Sequence, residues 1–249
     1  MSGAAFRPCA VVPTFENAPT VGAVVERIRA HELPVVLVDD GSGPDGERAC
    51  AALEDPPSVF LRRFAKNRGK GAAVMEGMRI AHEQGFTHAF QIDADAQHDL
   101  ACVPEFLAAA REEPTAAILG YPVYDRTAPA SRRFARHLTT FWVTLEVGNR
   151  TAIRDGLIGF RVYPVAASLA LPIGEMRMGF DVEIAVRLVR AGVLTVNLPV
   201  PVRYLTAEEG GISHMRPVRD NLRFAWLHTR LCLEGCAHWL ASAPGSSTR

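Results

Sequence analysis

Residues 35–42 read Val-Val-Leu-Val-Asp-Asp-Gly-Ser, and this stretch decides the fold class. Its four apolar residues, Val35–Val38, are mostly β-branched, as is typical of a central strand covered on both faces. A second short strand pattern, His88–Ile92, ends in the acidic string Asp93-Ala94-Asp95. Helical patterns lie between such runs. This alternation predicts an α/β fold with a mostly parallel sheet and helices on both faces.

The same periodicities set the other expected elements. Strands are expected at Cys9–Val12, stopped by Pro13, and at Ser58–Leu61, Ala116–Leu119, Phe160–Tyr163 and Thr195–Tyr204. Helices are expected at Thr20–Ala30, near Glu47–Leu53, and at Gly71–Glu83, Ala130–Glu146, Asp181–Arg190 and Asn221–Leu240. We expect one domain over residues 1–217, an amphipathic helix over 218–241 and a disordered tail over 242–249.

The composition of the 249 residues excludes several classes of protein. Lys and Arg total 27, and Asp and Glu also total 27, so no overall field draws the chain to nucleic acid or to an anionic membrane. Five scattered cysteines without a CxxC pair indicate buried thiols and a reducing compartment. Neither a secretion signal nor a long apolar span is found in the sequence. We therefore expect a soluble, cytoplasmic protein.

Asp93-x-Asp95 is the strongest candidate for a metal site. If the segment is extended, residues i and i+2 project from one face and their carboxylates converge on one cation. Mg²⁺ and Mn²⁺ accept two carboxylates when water and substrate phosphates complete the coordination. An ordinary acidic turn is the alternative. Its position at a strand end, where open α/β sheets bind ligands, favours the metal site.

Two further polar motifs lie near strand ends or helix starts. In Asp39-Asp40-Gly41-Ser42, either aspartate can accept from a nucleobase N–H or from ribose hydroxyls, or the motif is a helix-capping turn. Asn67-Arg68-Gly69-Lys70-Gly71 opens a helix, where glycines, the helix N-terminus and the Lys70 charge favour a phosphate. The spacing is not that of a P-loop.

Taken in order, these motifs resemble family 2 glycosyltransferases of the GT-A fold, in particular the dolichyl- or polyprenyl-phosphate sugar synthase-like branch. The resemblance covers about residues 8–217. It rests on Val12-Pro13-Thr14-Phe15, Val38–Ser42, Asn67–Gly71 with Gly77, Asp93–Gln97, Asp155 with Gly159-Phe160-Arg161, and Gly179–Glu183.

The resemblance implies roles for single residues. Asp93 and Asp95 would hold Mg²⁺ or Mn²⁺. The residues expected to bind the nucleoside diphosphate sugar are Pro13, Thr14, Glu16, Asp39, Asp40, Lys70, Asp93, Ala94 and Gln97. Two departures stand out: the family's Asn-Glu reads Glu16-Asn17, and its Gly-x-Arg reads Gly120-Tyr121-Pro122. A phosphate-binding arginine would then come from Arg126, Arg132 or Arg133.

The implied reaction is an inverting single displacement at the anomeric carbon. An alcohol acceptor needs a general base, for which Asp181 and Glu183 are the candidates, whereas a lipid phosphate is already anionic. Glu183 can equally be a solvated carboxylate on a helix face. The loop around residues 210–216 resembles one that closes over donor and acceptor. Arg203, which precedes this loop, and His214 and Arg216 within it are further candidate catalytic residues, although a surface histidine is often only solvated.

The helix expected at Asn221–Leu240 combines a row of leucines and tryptophans with Arg219, Arg223 and Arg230. Such a helix suits the cytoplasmic face of a membrane, with its apolar side down, and this fits a lipid-linked acceptor. Packing on the domain itself or on a second copy of the chain in a homodimer are the alternatives.

Two other functions compete with that of a glycosyltransferase. A sugar-1-phosphate nucleotidylyltransferase also combines an α/β nucleotide fold with metal-binding aspartates, but it carries a glycine-rich loop after the first strand, and residues 11–17 contain no glycine. A non-catalytic GT-A-like domain that serves as a membrane-associated binding subunit is the second. The intact Asp93, Asp95 and Lys70 argue against it.

Overall fold

The computed structural model describes residues 5–124, 130–203 and 217–242, with side chains except at 130–135, 217–221 and 237–242. The strands are β1 Pro8–Thr14, β2 Val35–Asp39, β3 Val59–Arg63, β4 His88–Ile92, β5 Ala117–Tyr124, β6 Phe160–Pro164 and β7 Thr195–Val202. The helices are α1 Ala18–Arg29, α2 Pro44–Ala51, α3 Lys70–Glu83, α4 Val103–Glu112, α5 Ala130–Val147, α6 Val165–Leu169, α7 Phe180–Arg190 and α8 Pro217–Ser242.

The strands form one seven-stranded sheet in the order β3-β2-β1-β4-β6-β5-β7. β6 runs antiparallel to β4 and β5, and the other neighbours are parallel. This confirms the expected mostly parallel α/β architecture. The chain adds β2 and β3 on one side of β1 and β4 on the other, so a crevice opens at the carboxyl ends of β1 and β4, where such sheets bind ligands.

Successive residues of the buried strands feed two separate cores. Val11 packs with residues of α3, α5, α6, α7 and α8 on one face of the sheet. Its neighbour Val12 packs with residues of α1, α2 and α4 on the other face. Because side chains alternate across a strand, each central strand must be apolar on both sides. This confirms the expectation of helices on both faces.

Two prolines lie inside strands that were expected to end before them. Pro13 pairs with Val38 of β2 inside β1, and Pro122 pairs with Val200 of β7 inside β5. β1 pairs with β4 only as far as Val11, so at Pro13 the strand has a neighbour on one side only. A proline is tolerated in a strand at such positions, because its nitrogen, which has no hydrogen to donate, can face the side that has no neighbouring strand.

Helix α3 lies unusually close to its neighbours. A Cβ added to Gly77 would stand 2.4 Å from Cγ1 of Val11, and one added to Gly71 would stand 2.6 Å from Cβ of Phe180. Only glycine permits these approaches. They hold the first residue of α3, Lys70, against the strand ends and the start of α7.

Helix α8 packs on the same face of the sheet, where Leu227 and Leu231 are buried in the core. It begins at Pro217, earlier than the start expected at Asn221. No helix in the described part of the chain is both long enough and apolar enough to cross a bilayer.

Candidate active site

The turn after β2 is built on two buried aspartates. Asp39 is fully buried and accepts hydrogen bonds from the Ser42 amide, at 2.9 Å, and from the Arg63 guanidinium. Asp40 accepts from the amides of Arg68 and Gly69, at 2.6 and 2.8 Å. Asp40 therefore fastens the end of β2 to the loop that leads into α3.

Burial raises the pKa of Asp40, although the two amide donors and the charge of Arg177 oppose the shift. Arg177 also donates to the Asn67 side chain, at 3.0 Å, and so reaches the same loop. Both oxygens of Asp40 already accept backbone hydrogen bonds. The observed contacts thus give Asp40 a part in shaping the loop, and its expected contact with a nucleotide stays a prediction.

Lys70 is the centre of the site. Its ammonium nitrogen lies 2.9 Å from Oδ2 of Asp93, at the end of β4, and 2.8 Å from Oδ2 of Asp181, near the start of α7. Burial by itself would lower the pKa of Lys70, but the two carboxylates outweigh it and raise the pKa above its ordinary value. The ammonium therefore stays charged at neutral pH.

Asp181 is held from three directions. Its Oδ1 accepts from Nε2 of Gln91, at 2.8 Å, and its other oxygen accepts from Lys70. Its backbone carbonyl accepts from Nη1 of Arg161, at 2.5 Å. Arg161 is fully buried, and its Nη2 donates a hydrogen bond to the carbonyl of Asp155, at 3.0 Å. Arg161 thus links the Gly-Phe-Arg motif to the start of α7.

Gly159 explains why that motif needs a glycine. A Cβ at this position would stand 2.4 Å from Oδ2 of Asp93 and 2.5 Å from Nζ of Lys70. Any larger residue would therefore displace the charged pair.

The Asp93–Asp95 segment is not extended, which corrects the geometry assumed from the sequence. β4 ends at Ile92, the following residues turn, and Ala96 has a φ of 58°. Asp93 contacts Lys70, whereas Oδ1 of Asp95 accepts from the amide of Gln97, at 3.1 Å. The two carboxylates are therefore positioned by a turn that follows the strand.

The described residues contain no group of three or more His, Cys, Asp or Glu side chains that would by itself enclose a metal ion. Oδ1 of Asp93 is buried and makes no hydrogen bond within the described residues, although it lies 2.8 Å from the Lys70 ammonium. Asp95 accepts one backbone amide. This pair fits a divalent cation that takes its remaining ligands from water and phosphate, which is how Mg²⁺ commonly binds.

The other expected nucleotide-binding residues surround the same end of the sheet. Thr14 ends β1, next to Pro13, and its carbonyl accepts from the Asp40 amide at 2.8 Å. Glu16 has a φ of 57°, and its carboxylate accepts from the Gly43 amide at 2.9 Å. Ala94 is buried, and its carbonyl accepts from the Thr20 hydroxyl at 2.6 Å.

Arg203 also reaches this loop, since its amide donates to the Gln97 carbonyl at 3.1 Å just beyond β7. Arg126, His214 and Arg216 lie outside the described residues, and the side chains of Arg132 and Arg133 are not described. Their expected roles stay predictions.

Glu183 is buried rather than solvated. Its Oε2 accepts from the amides of Gly174 and Glu175, and its Oε1 pairs with Arg187 at 2.7 Å and with Arg230 of α8 at 2.8 Å. Burial raises the pKa of Glu183, but these donors outweigh that effect and lower it below the ordinary value. The carboxylate is fully engaged in joining α7 to α8.

Gln91 lies outside the predicted motifs, and Arg161 was expected only as part of the Gly-Phe-Arg motif. Both residues could have been recognised from the sequence, because a polar side chain in a fully buried strand needs a hydrogen-bond partner. His98, in the same acidic string, is also buried. Burial lowers the pKa of His98 although the charges of Asp93 and Asp95 oppose the shift, so the ring is neutral at pH 7.

The mostly parallel sheet, with carboxylates and one lysine at the strand ends around its crossover, defines a GT-A type domain. The chain belongs to glycosyl transferase family 2, whose family model matches residues 9–167. It is therefore a glycosyltransferase, as the motifs predict, and this decides against a nucleotidylyltransferase.

Named relatives and a solved structure agree with this assignment. Glycosyltransferase AglJ of Haloferax volcanii is 26% identical over 223 residues, which are 85% of this chain and 67% of that protein. The UDP-N-acetylglucosamine–dolichyl-phosphate N-acetylglucosaminyltransferase of Methanococcus voltae is 26% identical over 102 residues, 35% of this chain and 41% of that one.

The crystal structure of glucosyl-3-phosphoglycerate synthase from Mycobacterium tuberculosis, in complex with Mn²⁺ and UDP-glucose, superposes with a TM-score of 0.68. The match covers 98% of this chain and 82% of that chain at 15% identity, a level at which the likeness shows the fold alone.

Proposed function

We propose that this glycosyltransferase moves a sugar, with inversion, from a nucleoside diphosphate sugar to a lipid-linked acceptor, and that it needs Mg²⁺ or Mn²⁺. The observation that carries the proposal is the partly buried Lys70 ammonium between Asp93 and Asp181 at the carboxyl ends of the strands. A cation fixed there, beside a carboxylate oxygen that makes no hydrogen bond within the described residues, suits a bound diphosphate and its metal.

In this proposal Asp93 and Asp95 hold the metal, which supplies positive charge to the departing nucleoside diphosphate. Lys70 adds a second, permanent charge at the start of α3, where the helix dipole also favours an anion. Thr14, Glu16 and the Asp39–Asp40 turn form the part of the crevice that receives the nucleoside. Gln97 lies close to the phosphates or the sugar.

The surroundings of the two candidate bases support a lipid phosphate as the acceptor. Asp181 is buried and accepts from both Lys70 and Gln91, which suits positioning of Lys70 better than removal of a proton. The arginines and amides around Glu183 argue against its use as a base. An anionic phosphate oxygen attacks without a base, so neither carboxylate is required to remove a proton.

The acceptor class and the branch rest on the resemblance to dolichyl- and polyprenyl-phosphate sugar synthases, and on the dolichyl-phosphate acceptor of the Methanococcus voltae relative. Metal and donor are supported by the Mn²⁺ and UDP-glucose bound in the mycobacterial structure. Arg203, His214 and Arg216 complete the proposal as residues that contact the acceptor or the phosphates. We assign the enzyme to the cytoplasm, at the membrane surface.

The proposal is tested first by ligand-dependent melting. UDP, GDP and dTDP are screened with and without Mn²⁺ or Mg²⁺. A ligand present at about 100 times its Kd stabilises the folded state by about 2.7 kcal/mol, which for a chain of this size raises Tm by about 5–10 °C. We expect one nucleotide to do so only when the metal is present.

Asp95→Ala is expected to abolish the metal-dependent part of that increase. Asp99→Ala is the matched control in the same loop. Among the described residues Asp99 accepts only the Ala101 amide and faces Arg27 at 3.8 Å, so its loss lowers the starting Tm but keeps the metal-dependent increment. An increment that survives in Asp95→Ala would refute the metal assignment. Absence of transfer from every UDP- and GDP-sugar to polyprenyl phosphate would refute the lipid acceptor.

A further inference from the structure

Exposed apolar side chains are concentrated on two helices. Of the ten large hydrophobic residues that are exposed in the described part of the chain, seven lie on α5 or α8. They are Leu138, Phe141, Trp142 and Leu145 on α5, and Leu222, Trp226 and Leu233 on α8. We call these seven residues the apolar face.

The spacing shows that each helix has two apolar sides. On α5 the exposed residues follow the i, i+3, i+4, i+7 pattern, and the opposite side buries Val143 in the core. On α8 the successive exposed residues are four and then seven positions apart, and the opposite side of the helix buries Leu227 and Leu231. Packing within the domain therefore accounts for only one side of each helix.

A ring contact and a hydrogen bond join the two helices. The Trp142 ring stacks on the ring of His228, with centroids 6.1 Å apart, and Nδ1 of His228 lies 2.7 Å from Oε1 of the buried Glu146. The two helices pack side by side, and their core-facing residues lie in one cluster, so the exposed apolar residues of both lie on the outer side of one helix pair.

The border of this surface is basic. A pocket of about 530 Å³ beside Phe141 and Leu145 is also lined by His137, Arg150 and Arg154. The guanidinium of Arg154 lies over the Tyr121 ring at 3.8 Å, which fixes its position. The two helices' described acidic side chains are both occupied, Glu146 with His228 and Glu234 with Arg187. The chain has no net charge, but the border of the apolar face is locally positive.

We propose that the apolar face docks on an anionic lipid bilayer, with Arg150 and Arg154 contacting headgroup phosphates beside inserted Phe141 and Trp226. Apolar side chains bordered by arginines are what such a surface binds. A second copy of the chain is a poorer partner, because a two-fold contact would bring the positive borders together. Docking would present the active site to a lipid-linked acceptor, and that consequence alone rests on the proposed function.

Co-flotation with vesicles tests the proposal. The full chain is mixed with vesicles of phosphatidylcholine alone, or of equal parts phosphatidylcholine and phosphatidylglycerol. We expect strong binding only to the second kind, weakened by added salt, which screens the arginines. Phe141→Ser with Trp226→Ser should lower the partition coefficient at least about tenfold. Arg150→Gln with Arg154→Gln should lower it roughly thirtyfold, about fivefold for each charge.

Leu194→Ser is the matched control. Leu194 is 66% exposed, against 67% for Trp226, but lies outside both helices, so its loss should leave vesicle binding unchanged. Equal binding of all variants, or equal binding to both kinds of vesicle, would overturn the proposal. So would a dimer, seen by sedimentation equilibrium without lipid, that the Phe141→Ser and Trp226→Ser double variant dissociates.

The metal-dependent nucleotide shift is measured on the same proteins and should be unchanged. The substituted side chains lie on the outer sides of α5 and α8, in the loop after α5 and, for the control, directly before β7. Vesicle binding without any nucleotide shift would leave the docking face standing and refute the proposed function. The reverse result would refute the docking face alone.

Discussion

Replacing Lys70 by methionine removes the one positive charge that the structure places between Asp93 and Asp181. Methionine is nearly the length of lysine, so it fills the space without its charge. The ammonium lies 2.8 Å from an oxygen of each carboxylate, so those oxygens are at most about twice that distance apart. Without Lys70 the two negative charges face each other directly.

At that separation, and with an effective dielectric constant of about 20, their repulsion is about 3 kcal/mol. Removal of one partner from a buried ion pair typically costs 3–5 kcal/mol, since the remaining charge is left unpaired. Asp181 is 2% exposed and cannot turn to water, whereas Asp93 is partly open to it. We therefore expect Lys70→Met to lose about 3–5 kcal/mol of unfolding free energy at neutral pH.

Urea unfolding measures this loss, because urea does not screen charges. Lys66→Met is the control, since Lys66 is the only other lysine in the sequence and is exposed in the same loop. Its loss should stay within about 0.5 kcal/mol. A loss in Lys70→Met no greater than in Lys66→Met would refute the buried triad.

Two other substitutions test neighbouring features. Glu183→Gln leaves Arg187 and Arg230 without their carboxylate and should cost about 3–5 kcal/mol at neutral pH. The pKa of Glu183 is lowered below 4.5 on folding, so the wild type should lose this stabilisation as the pH falls through and below 4.5. The variant should not show that loss. Parallel profiles of unfolding free energy against pH for the two proteins would contradict the assignment. Gly159→Ala should cost about 1–3 kcal/mol and abolish metal-dependent nucleotide binding, because its Cβ would displace Asp93 and Lys70. Gly22→Ala, with nothing within 4 Å, is its control in both melting and binding, and equal behaviour of the two would contradict the steric reasoning.

Much of the fold was predictable because local chemistry repeats along it. Val35–Val38 is buried on both faces of the sheet, and these four consecutive apolar residues predict a central strand of a parallel sheet. The first residues of α3 were predicted to within one position, since glycines precede and follow Lys70. The strand end expected before Pro13 was wrong, because β1 continues through Pro13 with β2 on one side and no partner on the β4 side, and strand pairing is a property of the whole sheet.

The site was predictable as a set of motifs and not as a set of contacts. Lys70 and Asp181 are 111 positions apart, and no local pattern says that their side chains meet. Glu183 reads as a helix-face carboxylate until Arg230 of α8 is brought to it. Such pairings depend on how α3, α7 and α8 pack on one face of the sheet.

The sequence by itself determined the α/β class, the strand ends that carry polar residues and the family motifs, because hydrophobic period and turn chemistry act over a few residues. Only the tertiary structure decided that Lys70 lies between Asp93 and Asp181, that Glu183 ties α7 to α8, and that α5 and α8 share one exposed apolar face. These features join residues distant in the chain, and their energies come from burial and charge, which exist only once the helices have packed on the sheet.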